Sequence, residues 1–440
     1  MRDRRAEEAL CAEDVATPPE FRFFWFSGHW PATFRALRHR NFLLFWSGQL
    51  ISLIGTWMQT AVQAILVFEL ARKQFGPANT AFYLGLISAL SSAPMLLFSL
   101  FAGVLADRMD KRRIVILTQS ASGVLAFVMA VLVGTGHIQL WHVAILATLL
   151  GVVNAFDMPT RQAFVKELVM PGDLLNAIAL NSSIFNGARI VGPAVAGLLI
   201  YQLHLGISGV FYANAISYIA VIAGLVAIHL VPHPAAASNA NVWQHLQTGF
   251  RYVIGNPTIR IILLLMGVYS IFGFSYIVLM PVIVTDVLHQ APNWYYVLLT
   301  ISGFGALVGA LLLATLADRL NKGRVLRASG IVFSAGLIGF SLSHSLALSA
   351  VMLMFVSGGL VVGSASINSL IQEIVPDQLR GRVISMWTFI FAGFMPLGAL
   401  YAGMVAHLTS PTFPILLGGI ICVLMIGLLS LRTPWLWRLP

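Results

Sequence analysis

The sequence predicts an all-helical membrane protein of twelve transmembrane helices in two pseudo-symmetric six-helix halves. Three observations predict it. The 440 residues are 58% apolar and only 10% charged, whereas soluble domains run at about 45–50% apolar and about 25% charged. The apolar residues gather into twelve runs, each long enough to cross a bilayer at ~17–25 residues per span. Finally, the segment Gly103–Arg113 returns as Ala314–Arg324 with six of eleven positions identical, as expected of a duplicated helical unit.

Residues 1–40 open the chain with a polar stretch, Arg2 to Glu20, followed by an aromatic, basic one from Phe21 to Arg40 that contains Trp25 and Trp30. They lack the aliphatic run and small-residue cleavage site of a signal peptide and read as a cytoplasmic and interfacial segment. The N-terminal half, 41–231, holds spans at about 43–70, 80–106, 114–134, 141–158, 174–203 and 208–231. Residues 232–257 form a cytoplasmic linker, with Pro232, Pro234 and an amphipathic run from Trp243 to Ile254. The C-terminal half, 258–432, holds spans at about 259–288, 294–317, 325–343, 347–371, 382–406 and 413–432, and 433–440 is a tail.

An even number of spans puts both termini on one side. Of 26 lysines and arginines, 23 fall on that side, Arg72 and Lys73 fall opposite, and Arg189 lies inside the fifth span. Cytoplasmic loops are enriched in Lys and Arg, so both termini are expected in the cytoplasm. The net charge of +10 then records topology and implies no nucleic-acid partner. Cys11 and Cys422 lie at opposite ends and support neither a disulfide framework nor a cysteine-based zinc site.

The repeated loop carries Gly103, Asp107, Arg108, Lys111 and Arg112, and its second copy keeps Asp318, Arg319, Lys322 and Arg324. An offset of 206 pairs Glu167 with Glu373 and Gly187, Gly192 and Gly197 with Gly393, Gly398 and Gly403. In the fifth span Pro193 removes a backbone donor and should bend the helix, while its glycines allow close helix approach; a merely bent, packed helix is the plain alternative. Arg189 in the same span costs ~2.5–3.5 kcal/mol to insert unpaired. Its expected partners are Asp157, ~10 Å away in depth at 1.5 Å per residue, or backbone carbonyls with Asn181 or Asn186. Asp157 itself reads first as an ion pair with Arg108 or Arg161 and second as a proton carrier. Glu69 and Asp286 end spans one and seven at an offset of 217 and read as rim groups able to exchange protons if partly buried.

The loop resembles the G-x-x-x-D-R-x-G-R-R/K motif of the major facilitator superfamily, and the likeness extends from about Asn41 to Leu431. Gly192-Pro193 with its neighbouring glycines resembles the antiporter motif of proton-driven exporters, although it ends in Ala196-Gly197 rather than Gly-Gly. The stretch Asn154 to Val169, with Asn176 to Asn181, resembles the branch that contains enterobactin exporters and macrolide efflux pumps. Asp110 and Asn321 stand where the family usually has Gly; both residue types tolerate a left-handed backbone, so the tight turn is expected to survive.

The resemblance implies the major facilitator fold, with Gly103, Asp107, Arg108, Lys111, Arg112, Asp318, Arg319, Lys322 and Arg324 as a cytoplasmic latch between the halves. It implies an antiporter-like motif of Arg189, Gly192, Pro193 and Gly197, and a charge relay that joins Asp157 to the latch arginines. Spans one, four, seven and ten would line a central cavity, which makes Gln59, Gln63, Asn154, Tyr269, Tyr276 and Asn368 candidate substrate contacts. The implied activity is secondary active export of a small amphipathic molecule (a siderophore, macrolide or other drug) across a bacterial plasma (inner) membrane by proton antiport through alternating access. Asp157, then Glu69 and Asp286, are the proton-coupling candidates.

The sequence has no histidine pair at metal spacing within a span, no phosphate-cradling Gly-rich loop and no nucleophile–base set. Catalytic residues, metal and cofactors are therefore not expected, and the reading is not that of an enzyme. The expected partners are a small-molecule substrate, protons and the lipid bilayer, for a monomer. An importer or uniporter on the same fold is the first alternative, followed by a lipid flippase or an integral-membrane enzyme.

Overall fold

The computed structural model describes residues 32–229, 242–316 and 321–439, and among these the side chains of all but 32, 99–108, 242–246, 316 and 438. Twelve helices within them are long and apolar enough to cross a membrane. The first six are Arg40–Phe75, Pro77–Phe98, Lys111–Gly134, Leu140–Leu168, Pro171–Tyr201 and Gly206–Ala227. The second six are Pro257–Val287, Asn293–Thr315, Lys322–Leu342, Leu346–Ile374, Asp377–Leu408 and Phe413–Arg432. Residues 32 and 439, the first and last described, lie on one face, the terminal side; the opposite face is the distal side.

The fourth span departs most from its expected bounds, running as helix to Leu168, ten residues beyond the apolar run. Hydropathy undercounts it because its polar residues are paired: Asp157 and Arg161 with each other, and Glu167 with Lys111. Pro193 does not interrupt the fifth span, whose helix is continuous over Leu174–Tyr201. Breaks fall instead in the seventh span, at Gly273 between Phe272 and Ser275, and in the eleventh, at Phe394 between Gly393 and Met395. At Gly273 a β-carbon would lie 2.5 Å from the Phe333 ring, so only glycine lets the seventh span approach the ninth there. The seventh span ends in a π-helical turn, Ile283–Val287.

Within the first half, span one packs against span six through Gly48 and Gly224, where added β-carbons would sit 2.8 Å from Val221 Cα and 2.7 Å from the Leu44 carbonyl. The halves meet along two helix pairs. Span two crosses span eleven with Gly85 against Gly403: a β-carbon on Gly85 would lie 2.5 Å from the Ala399 carbonyl oxygen. Span five crosses span eight, with Gly303 beside Ile190 and Gly197 beside Tyr296. Such small-residue seams let helices pack backbone to backbone in lipid, where no hydrophobic force drives association. Gly85, Gly403, Gly197 and Tyr296 all lie towards the distal ends of their helices. Further distal contacts are an ion pair between Arg72 and Asp286 and His407 Nδ1 at 2.9 Å from the Ala78 carbonyl oxygen.

Candidate transport pathway and its charge clusters

Spans one, three and four bury a charge cluster. Asp157 and Arg161 sit one helical turn apart, so both project from one face of span four. Arg161 Nε lies 2.6 Å from Asp157 Oδ2, a charge contact without the alignment of a hydrogen bond. From span three the Thr118 hydroxyl and the Gln119 amide donate to Asp157 Oδ1 at 2.7 and 2.9 Å. Span one closes the cluster: Arg161 Nη1 donates to Gln49 Oε1 at 2.5 Å and the Ser52 hydroxyl to Gln119 Oε1 at 3.3 Å. Asp157 is only 2% exposed. An ion pair at that burial is tolerated only when further hydrogen bonds satisfy its remaining groups; here they satisfy Asp157 Oδ1 and Arg161 Nη1, while Arg161 Nε and Gln49 Nε2 have no hydrogen-bond partner.

On the terminal side the two halves repeat one ion pair. Lys111 Nζ meets Glu167 at 2.7 Å in the first half, and Lys322 meets Glu373 in the second. Asp110 and Asn321 do not form the left-handed turn expected of them. Their φ angles are −59° and −65°, and their side chains accept from the backbone N–H groups of Arg112 and Arg113, and of Arg324. Each is a helix N-cap, a task glycine performs less well than Asp or Asn. Arg112 donates from Nε and Nη2 to the Leu225 and Val226 carbonyls, which covers the end of span six within its own half. Arg324 is exposed. Gly103 lies in the helix Pro77–Arg108; its surroundings and the side chains of Asp107 and Arg108 fall outside the described residues, as do Asp318 and Arg319.

At the distal end Arg72 Nη1 donates to Asp286 Oδ1 at 2.6 Å, joining spans one and seven and hence the two halves, and the Thr285 hydroxyl donates to the same oxygen. Glu69, one turn before Arg72, is exposed.

Arg189 sits 15 residues, ~22 Å, from the start of the helix Leu174–Tyr201 and 12 residues, ~18 Å, from its end. It is half-buried. None of the expected partners meets it among the described residues: Asp157 is held by Arg161, Thr118 and Gln119, Asn186 donates to the Ser182 carbonyl, and neither Asn181 nor a backbone carbonyl bonds the guanidinium. The nearby glycines serve different neighbours. Gly192 admits Trp57 of span one, Gly197 faces Tyr296 of span eight, and Gly187 faces open space.

Of the candidate substrate contacts, Gln59 is buried and accepts from Asn214 at 2.6 Å, fastening span one to span six. Tyr269 and Tyr276 are buried in an apolar core that draws on both halves, with Tyr269 against Phe333 and Gly330 and neither hydroxyl hydrogen-bonded. All three are buried against neighbouring helices in this arrangement rather than exposed to a cavity. Asn154 is exposed, Gln63 is half-buried, and Asn368 is half-buried and accepts from Gln372. An apolar cavity of about 560 Å³ lies between spans eight, nine and ten, lined by Gly305, Gly309, Phe355 and Gly358 with Arg324 among its walls. It belongs to one half and is not the space between halves.

One cluster escaped the sequence reading. Asp173, buried at the start of span five, receives Arg35 Nε at 2.5 Å and Arg38 Nη2 at 2.9 Å, with His39 Nε2 at 2.7 Å. The spacing of Arg35, Arg38 and His39, three and four residues apart, was the available signal. The cross-half pairing of Arg72 with Asp286 had no local signal.

Two six-helix halves that share a repeat, meet along two glycine-bearing helix pairs and bury charge within the membrane define a membrane transporter. The chain belongs to the transmembrane secretion effector family of the major facilitator superfamily, whose family model matches residues 31–436. It is 27% identical to a staphyloferrin A transporter of Staphylococcus aureus, over 79% of this chain and 87% of that protein. It is 26% identical to macrolide efflux protein A of Streptococcus pyogenes (88% and 95%) and 29% identical to the multidrug efflux pump Tap of Mycobacterium tuberculosis (80% and 85%). A bacterial homologue of the human lysosomal transporter Spinster has the same fold, with a TM-score of 0.71 at 12% identity over 94% of this chain and all of that one. So does a D-xylose–proton symporter, with a TM-score of 0.69 at 12% identity over 91% and 97%. Family and fold are those of major facilitator superfamily transporters, not of enzymes, and the relatives named are of efflux type.

Proposed function

We propose that this chain exports a small amphipathic molecule across the bacterial plasma membrane in exchange for protons, by rocking its two halves about a site between them. The terminal side is the cytoplasm, in keeping with the placement of the cations, and the protein works as a monomer. Efflux-named relatives covering most of the chain support export.

The observation that carries the coupling is the buried Asp157–Arg161 cluster. A proton on Asp157 and the positive charge of Arg161 compete for the same carboxylate, so protonation frees Arg161 to pull on Gln49 of span one. Span one in turn reaches the distal pair through Arg72. Proton entry at the cluster and opening of the distal seam are thereby linked through one helix. On the cytoplasmic side Lys111–Glu167 and Lys322–Glu373 hold the loops that, with Asp107, Arg108, Asp318 and Arg319, latch the halves in the outward-facing state.

Everted membrane vesicles with an acidic interior test this directly, with staphyloferrin A and erythromycin as trial substrates. Wild-type protein should accumulate one of them only while the pH gradient lasts. Asp157→Asn should abolish accumulation, and Glu69→Gln and Asp286→Asn come next in order of expected effect. Undiminished uptake in all three variants would remove proton coupling from the scheme.

A further inference from the structure

We infer that Arg189 is a substrate-binding residue and that the exported molecule is an organic anion, its carboxylate or other oxyanion held by this guanidinium and its apolar part by the Trp57–Phe185 pair. The inference rests on the transporter reading above and names the substrate class of that same pathway.

The carboxylates decide the sign. Among the described residues, Asp110, Asp157, Glu167, Asp173, Asp286, Glu373 and Asp377 each contact a named Lys, Arg or His. Glu69 is the acid left over, and it lies beside Tyr201 at the distal end of span five, 12 residues, ~18 Å, along the helix from Arg189. No hydrogen bond or ion pair reaches the Arg189 side chain from any described residue. A mid-membrane cation with no counter-charge is expensive, and it is kept where water solvates it or an anionic ligand supplies the counter-charge.

Helix geometry aims Arg189 at the pathway. At about 100° per residue, Ile184, Ala188 and Gly192 turn towards span one, while Ile190 and Gly197 turn towards span eight on the opposite side. Two arcs remain between these contacts. One carries Gly187, Val191, Ala194 and Leu198, with Val191 and Leu198 exposed and apolar, as suits lipid. The other carries Ser182, Asn186 and Arg189 among Phe185, Pro193 and Ala196, and it holds the one charged side chain of the helix. An arc bounded by span one of its own half and span eight of the other faces the space between halves. Phe185 meets the Trp57 ring edge-to-face, centroids 5.7 Å apart, so an apolar platform adjoins the cation. A cationic drug would meet uncompensated positive charge there.

Calorimetric titration of the full chain in lipid nanodiscs tests the assignment, with staphyloferrin A as the polycarboxylate probe and tetraphenylphosphonium as the cation probe. Wild-type protein should bind the carboxylate and exclude the cation. Arg189→Gln should weaken carboxylate binding about 10- to 100-fold, the scale of one charge-assisted hydrogen bond, and Arg189→Lys should restore part of it at unchanged thermal stability. Absence of carboxylate binding by the wild type, tighter binding of the cation, or a change of less than about twofold in Arg189→Gln would each overturn the assignment. Gradient-driven uptake of the cation, indifferent to Arg189, would overturn the anion site and leave export standing. Arg189-dependent anion binding without any gradient-driven uptake would keep the site and sink export.

Discussion

Replacing Asp157 with asparagine perturbs the molecule where its charges are most deeply buried. Asparagine keeps one oxygen to accept from Thr118 and Gln119 but can turn an N–H towards Arg161 Nε, donor against donor. Arg161, 19% exposed at its side chain, then keeps Gln49 as its partner without any counter-charge. Stranding one member of a buried pair costs about 3–5 kcal/mol, and the partial exposure of Arg161 places Asp157→Asn near the lower end, about 3 kcal/mol. Removing both charges should return most of that cost, so Asp157→Asn with Arg161→Gln is expected to be more stable than Asp157→Asn alone by about 2 kcal/mol, and to cost less than the two single variants together. Reversible unfolding in mixed micelles by titration with a denaturing detergent reads both quantities. A single variant within about 0.5 kcal/mol of wild type, or single-variant costs that simply add, would refute the paired cluster.

Three further outcomes follow from named contacts. Gly85→Val should clash with the Ala399 backbone in the distal-closed arrangement; overpacking of about 1–3 kcal/mol borne by one state shifts the population towards distal opening by roughly 5- to 150-fold, visible as faster labelling of distal cysteines by a membrane-impermeant reagent, and unchanged labelling would contradict the seam. Exchanging the charges of the half-exposed distal pair, Arg72→Asp with Asp286→Arg, should restore most of what Arg72→Asp alone loses, an effect of about 0.2–1 kcal/mol read by the same labelling; an exchange as open as the single variant would show that the pair is incidental. Asp173→Asn should weaken the tie between the segment before span one and the start of span five by about 1–3 kcal/mol, measured as faster hydrogen exchange over residues 32–40; exchange that does not change would place that anchor elsewhere.

The number of spans was legible because lipid demands long apolar helices, and the repeat showed that they form two halves. Span four exceeded its apolar run because hydropathy scores Asp157, Arg161 and Glu167 as if unpaired, whereas each is neutralised by a neighbour. Asp110 and Asn321 were legible as special backbone positions but not as caps, since both uses favour the same residue types. Gln59, Tyr269 and Tyr276 show a different limit: a polar side chain in a span faces either a cavity or a neighbouring helix, and helical rotation, unknown before the helices are packed, decides which. The same rotation made Arg189 interpretable. Its isolation depends on where seven acids found their partners, several of them distant in sequence, such as Arg72 with Asp286.

Alternating access of the two halves is best tested by paired distances in one preparation. Spin labels on Lys73→Cys and Ala291→Cys report the distal gap, and labels on Lys166→Cys and Gln378→Cys report the terminal gap, in a cysteine-free background reconstituted in nanodiscs. Pulsed dipolar spectroscopy should show two populations, the distal gap wide where the terminal gap is narrow and the reverse, with acid pH and Asp157→Asn favouring the same one of the two. A single population at both pairs, unmoved by pH, by trial substrate and by Asp157→Asn, would contradict proton-coupled rocking of the halves.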